Sequence, residues 1–282
     1  MNINNFNNLS KEDATKQLFT CCGSDVWANE MMLHFPFIDE QTLVECATNI
    51  WYNKCAETEW RQAFTHHPKI GDVNSLKEKF AGKEQASITA ATEETINQLA
   101  QANAEYENKF GFIFIVCATG KSAAEMLRLL QDRLRNSVDE ELNIAMGEQQ
   151  KITIIRFKKL FDEVDFSFLK VSQLTTHILD TTKGRPAKDI SIKLFQKTKD
   201  SWKLLAQGVT NNDGRIVDLL PPQKAMDFGL YKLDFELETY FVNQKINPFY
   251  PQVEILFNIT EAEHYHVPLL LNPFGYSTYR GS

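Results

Sequence analysis

The side chains best suited to chemistry in this chain are histidines, and they form two groups. His66 and His67 stand side by side before Pro68, while His177, His264 and His266 lie beyond residue 170. Imidazole titrates near neutral pH, so each can take up and return a proton under ordinary conditions. Pro68 stiffens the backbone directly after His67. His264 and His266 are two residues apart, which puts them on one face of an extended segment. With His177 they could share a proton-transfer site or hold zinc. The adjacent His66 and His67 look like metal ligands too, but no third ligand stands at chelating spacing. Arg215 offers a planar fork that fits a carbonyl and amide edge. Arg156 could grip an anion or simply face solvent on a charged helix.

These groups must be positioned by two different kinds of element. Residues 9–162 read mostly as helix. Ser10 followed by Asp13 is a helix start. Leu43, Cys46, Ala47, Ile50 and Trp51 fall on one helical face. Further helices are predicted from Thr92 through Tyr106, from Ser122 to Leu134, and from Glu140 to Leu160. The apolar run Phe112–Val116 breaks the period and reads as either a buried strand or an extended segment. Beyond about residue 170 the period shortens to two. Ile190–Leu194, Tyr231–Leu237 and Val253–Phe257 read as strands, and Asn211-Asn212-Asp213-Gly214 as a turn between Trp202–Thr210 and Ile216–Leu219. The expected fold is two domains: an all-α helical bundle over 1–168 and an all-β sandwich over 169–282.

Charge and composition narrow the function classes. Residues 1–168 carry 17 Lys and Arg against 25 Asp and Glu; residues 169–282 carry 13 against 12. Neither has the basic excess that binding to phosphate backbones requires, so no nucleic-acid partner is expected. No apolar run approaches the roughly 20 residues needed to span a bilayer, and the start has no leader pattern. The five cysteines, Cys21, Cys22, Cys46, Cys55 and Cys117, show no zinc-ribbon spacing. Their odd number suggests reduced thiols acting as core fillers in a cytoplasmic protein with no membrane partner.

Longer motifs add a resemblance. Leu174-Thr175-Thr176-His177-Ile178-Leu179-Asp180, Asp213-Gly214-Arg215, and His264-Tyr265-His266-Val267-Pro268 with the closing Tyr279-Arg280-Gly281-Ser282 resemble the 5-hydroxyisourate hydrolases, a transthyretin-like (prealbumin) family. The resemblance implies hydrolysis of a cyclic amide at a site shared between subunits of a tetramer. It implies that His177, Arg215 and His266 are catalytic, and that Tyr279 and the Ser282 carboxylate line the site. Water attack on a ring carbonyl needs a base and a cation for the developing oxyanion, which these residue types supply. Arg185 reads as a turn residue.

Trp60 to Gly71, Lys83-Glu84-Gln85-Ala86 and Phe110 to Gly120 resemble the 2-oxo-4-hydroxy-4-carboxy-5-ureidoimidazoline (OHCU) decarboxylases, which are helical and cofactor-free. The resemblance implies that His67 and Glu84 are catalytic. It implies that Pro68, Gln85, Ile115, Cys117, Ala118, Thr119 and Arg156 contact the substrate. Ala81 stands where that family usually has serine, which removes one hydrogen bond. The combined expectation is a bifunctional enzyme of urate degradation with small-molecule substrates and neither metal nor cofactor. The alternatives are a small-molecule carrier on the same sandwich, or a fusion with one silent domain. The hydrolase signature weighs against the carrier.

Overall fold

The computed structural model describes residues 1–67, 90–119, 121–169 and 172–281. They divide into two compact units, Met1–Leu169 and Lys170–Ser282. Among the described residues the first unit is helical: α1 (Ile3–Asn7), α2 (Lys11–Cys22), α3 (Asp25–Met32), α4 (Glu40–Asn53), α5 (Glu57–Thr65), α6 (Ala90–Phe110), α7 (Ala123–Arg133) and α8 (Val138–Leu160). Ser10, Ser24, Asp39, Ser122 and Ser137 each accept the backbone N–H three residues on, satisfying a donor that the first turn leaves free. Leu18, Trp27, Leu43, Trp51 and Phe157 fill the core between α2, α3, α4 and α8. The helix predicted from Thr92 starts at Ala90.

Phe112–Val116 forms no strand among the described residues. Its backbone is held instead by a buried ionic cluster. Arg133 Nη1 donates to the Ile115 carbonyl at 2.7 Å, and its guanidinium pairs with Glu141, which also accepts from Asn136 and the Tyr106 hydroxyl. Next to it, Glu148 accepts the Cys117 N–H at 2.6 Å and pairs with Lys151. Charges this deeply placed persist only when fully partnered, and here they do the work of a missing strand neighbour.

The second unit is a two-sheet sandwich. One sheet orders β4 (Trp202–Val209), β3 (Ser191–Lys197), β6 (Gly229–Glu236) and β7 (Gln252–Ile259), all antiparallel. The other is built on β1 (Leu174–Asp180), flanked by β2 (Arg185–Pro186), β5 (Arg215–Ile216), β8 (Tyr265–His266) and β9 (Leu269–Asn272), with β10 (Gly275–Thr278) beyond β9. One short helix, α9 (Glu238–Val242), follows β6. The core gathers Leu174, Ile178, Leu194, Leu233, Phe235 and Leu269, all fully buried. Along β1 burial alternates, with Leu174, Thr176, Ile178 and Asp180 inward and Thr175, His177 and Leu179 on the other face.

The Asn211–Gly214 turn is present but closes no hairpin. The strand after it, β5, leaves the β4 sheet and pairs with β1. Asn211 shapes the crossing, its Oδ1 accepting from the Asp213 and Arg215 backbone N–H groups, both at 3.0 Å. No helix among the described residues is long and apolar enough to cross a membrane.

Candidate functional sites

In the helical unit, His67 sits just past the end of α5, where the chain meets the end of α2. The approach depends on Gly23, the C-terminal cap of α2 at φ 86°, because a Cβ there would lie 2.8 Å from the His66 Cβ. His66 packs edge-on against Phe19, a structural role. His67 turns the other way. Its Nε2 lies 2.5 Å from Gln149 Oε1, and its Nδ1 is 3.5 Å from Arg156 Nη2.

The network fixes the tautomer of His67. Gln149 donates its amide N–H groups to the Cys22 carbonyl at 3.1 Å and to Thr153 Oγ1 at 3.3 Å, so its oxygen must face the imidazole. An amide oxygen only accepts, so Nε2 carries the hydrogen and Nδ1 the lone pair. Arg156 is too distant to hold Nδ1 firmly; it is anchored by donating to the Cys21 carbonyl at 3.1 Å. Arg156 therefore turns toward His67 rather than into solvent, leaving a half-buried cation beside a neutral base.

Burial, then the nearby Arg156 charge, pushes His67 down to about 4, against a partial rise from Gln149. The folded value lies below the ordinary 6.5, so the unfolded chain binds the proton first as pH falls. The stability that neutral His67 contributes is complete above pH 6.5 and drains away toward pH 4. Its loss should cost about 3 kcal/mol of unfolding free energy. Urea titrations at pH 7 and pH 4 should show the wild type weakening more steeply than His67→Gln; parallel losses would refute the assignment.

Of the other expected residues, Ile115, Cys117, Ala118 and Thr119 follow α6 in the irregular segment. Ile115 and Cys117 are buried, and Ala118 and Thr119 are more open. The Cys117 N–H and the Ile115 carbonyl are already bonded to Glu148 and Arg133. Pro68, Glu84 and Gln85 lie outside the described residues. The thiols are free, and burial pushes Cys21 and Cys55 up to about 12, which suits core filling rather than nucleophilic attack. Gln149 was not anticipated. It stands mid-helix among other buried polar residues, and no sequence period marks it.

In the sandwich, strand register assembles the second site. His177 on β1 is directly opposite Arg215 on β5, and Thr175 on β1 is opposite His266 on β8. Opposed residues share a face, and so do residues two apart, so all four project from the outer face of β1. His177 Nε2 is enclosed with no hydrogen-bond partner among the described residues. Burial first and Arg215 second push both His177 and His266 below the ordinary imidazole value, so both are neutral near pH 7.

The chain's last described residues close over His266. Gly281 N–H donates to the His266 carbonyl at 2.9 Å, and a Cβ on Gly281 would lie 2.5 Å from His266 Cδ2. Gly281→Ala should therefore push the His266 ring aside; if that ring serves hydrolysis, as the resemblance implies, kcat should fall by about 100-fold. A variant within twofold of wild type would contradict this placement. Tyr279 is 57% exposed, and Arg280 is held by Glu263 over the Tyr265 ring. Ser282 lies outside the described residues. No group of three or more His, Cys, Asp or Glu among the described residues could hold a metal ion.

Comparison with known proteins gives two family matches. Residues 7–158 match the OHCU decarboxylase family, and residues 174–281 match the HIUase/Transthyretin family. The Arabidopsis thaliana "Uric acid degradation bifunctional protein TTL" is 34% identical over 93% of this chain and 96% of its own length. The Salmonella dublin 5-hydroxyisourate hydrolase is 46% identical over 39% of this chain and 80% of its own. A crystal structure of sea bream transthyretin in complex with thyroxine is 36% identical, covering 39% of this chain and 95% of that one, with a TM-score of 0.37.

Proposed function

The chain belongs to the OHCU decarboxylase family through residues 7–158 and to the HIUase/transthyretin family through residues 174–281, and we propose that its two activities run on His67 in the helical unit and on His177, Arg215 and His266 in the sandwich. It is a bifunctional enzyme of urate degradation. The sandwich hydrolyses 5-hydroxyisourate, and the helical unit decarboxylates the product to (S)-allantoin.

For hydrolysis, the observation that carries the reading is the register that sets His177 against Arg215 and Thr175 against His266 on one face of β1. A neutral histidine takes a proton from water as its oxygen bonds to the ring carbonyl carbon. The carbonyl electrons move onto oxygen, where the Arg215 guanidinium stabilises them. The ring C–N bond then breaks, and the nitrogen leaves with the proton the histidine returns. His177, kept neutral, does not compete with Arg215 for the developing negative charge. Tyr279, on the closing segment, would contribute to the wall, and the family resemblance implies the same role for the Ser282 carboxylate. The exposed Tyr279, Tyr276 and Phe274 fit burial between subunits, so the sandwich would form a tetramer.

For decarboxylation, the carrying observation is the neutral His67 with its Nδ1 lone pair beside Arg156. Arg156 takes the substrate's anionic edge. His67 accepts the proton of the hydroxyl that shares a carbon with the carboxylate. As carbon dioxide leaves, the C–C bond electrons pass into the ring's C=N unit, and one proton is taken up because a carboxylate departs as a neutral gas. His67 then returns its proton to the ring carbon on its own face, which sets the hand of the product. Glu84, Gln85 and Pro68 would orient the ureido and hydroxyl groups. Ile115 and Cys117 supply apolar wall, and Ala118 and Thr119 its rim. Both reactions balance with no redox step, and the enzyme would work in the cytoplasm.

The test is to feed freshly made 5-hydroxyisourate and follow absorbance and optical rotation together. Consumption well above the spontaneous rate, then a rise of one-handed allantoin, is expected. Spontaneous-rate decay would favour a carrier, and fast decay to racemic product would mean a silent helical unit.

A further inference from the structure

Two residues outside the proposed hydrolytic trio, Thr175 and His264, form a hydrogen-bonded chain with His266. His264 Nδ1 lies 3.1 Å from the Ser172 carbonyl, His264 Nε2 is 3.0 Å from Thr175 Oγ1, and Thr175 Oγ1 is 2.9 Å from His266 Nδ1. The polarity can be read from one end. A carbonyl oxygen only accepts, so His264 carries a hydrogen on Nδ1, and at pH 8, where an ordinary imidazole is neutral, the lone pair is on Nε2. That lone pair takes the single hydroxyl hydrogen of Thr175. The hydroxyl can then only accept from His266, whose hydrogen is fixed on Nδ1. His266 Nε2 is left with the lone pair.

We propose that Thr175 and His264 are positioning residues that lock His266 in the Nδ1–H tautomer, making its Nε2 the base that takes the proton from water. The inference rests on the hydrolytic reading above and adds to it which histidine is the base and what orients it. Ladder geometry supports the lock. Thr175 is the register partner of His266, and its carbonyl accepts the Val267 N–H at 3.0 Å, so hydroxyl and ring are held at a fixed spacing. When Nε2 receives the water proton, the Nδ1–H···Oγ1 bond strengthens and the chain spreads the new charge toward the Ser172 carbonyl. No proton need travel along it. His177 shows no such chain among the described residues: its Nε2 is enclosed without a hydrogen-bond partner there.

The experiment compares full-length wild type with Thr175→Val, Thr175→Ser, His264→Phe and His266→Ala. The readouts are hydrolysis kinetics and solid-state nitrogen spectra of 15N-histidine-labelled protein at pH 8, where an ordinary imidazole is neutral. The wild-type spectrum should show His266, identified by its loss in His266→Ala, with an unprotonated Nε2. Thr175→Val should lower kcat by about 10- to 100-fold with KM within about twofold, and its His266 signal should move to the other tautomer or a mixture. Thr175→Ser keeps the hydroxyl and should restore both, and His264→Phe should fall between. Thermal melting and the oligomeric state of the same variants, compared with wild type, report that the sandwich has folded. A wild-type spectrum with Nε2 protonated overturns the proposal even if a variant fails to fold. So does a Thr175→Val enzyme that keeps full kcat, or one that Thr175→Ser does not rescue. A His266→Ala enzyme that still hydrolyses at full rate would overturn the hydrolytic reading itself, a result distinct from a wrong tautomer.

Discussion

His67→Ala should reduce OHCU decarboxylation by about 10²- to 10⁴-fold, the usual worth of a positioned acid–base group, while 5-hydroxyisourate disappears as fast as before. Absorbance would then show the ureidoimidazoline accumulating, and optical rotation would show allantoin forming slowly and without handedness. The separation is expected because His67 bonds to Gln149 of the helical unit, with Arg156 of the same unit beside it. Folding is not expected to fail, since the half-buried ring leaves a gap bordered by polar groups rather than an unpaired charge. Decarboxylation persisting above about a tenth of wild type would remove His67 from the chemistry.

The mirror-image result is expected of Arg215→Ala. Hydrolysis should fall by about 10²- to 10³-fold, because the group proposed to meet the developing oxyanion is lost. Decarboxylation of OHCU supplied directly should be untouched. Arg215 is exposed on a two-residue strand whose shape comes from Asn211 and from the β1 ladder. Truncating it therefore removes charge and little packing. Arg215→Lys should recover only part of the rate, since an ammonium cannot reproduce the planar fork. Full activity in Arg215→Lys would reduce the requirement to simple charge.

The sequence speaks clearly where a period or a cap is local. The serine caps, the switch from helical to alternating patterns and the motif histidines are all properties of a few consecutive residues. It is silent where the partner is distant in the chain. Nothing near Asn211 says that β5 will leave β4 for β1, because that choice depends on the distant Thr176 and His177. Gln149 looks like any polar residue of α8 until Cys22, 127 positions away, claims its amide. Arg133 and Glu141 read as surface charges on helices, yet they are buried as a pair, with Arg133 bonded to the Ile115 carbonyl of the apolar Phe112–Val116 run. Thr175 and His264 did leave a trace, being spaced two from His177 and His266. Alternation puts such neighbours on one face but cannot tell which of them will touch.

The side chains proposed for hydrolysis hang on ladder rungs, not on a loop. Ile178 N–H donates to the Gly214 carbonyl at 2.8 Å and Val267 N–H to Thr175 at 3.0 Å, one rung on each side of the site. Neither rung can open without fraying the central strand of its sheet. Warming should therefore leave the hydrolase intact almost up to the melting of the sandwich and then extinguish it cooperatively, with no intermediate range in which the protein is folded but idle.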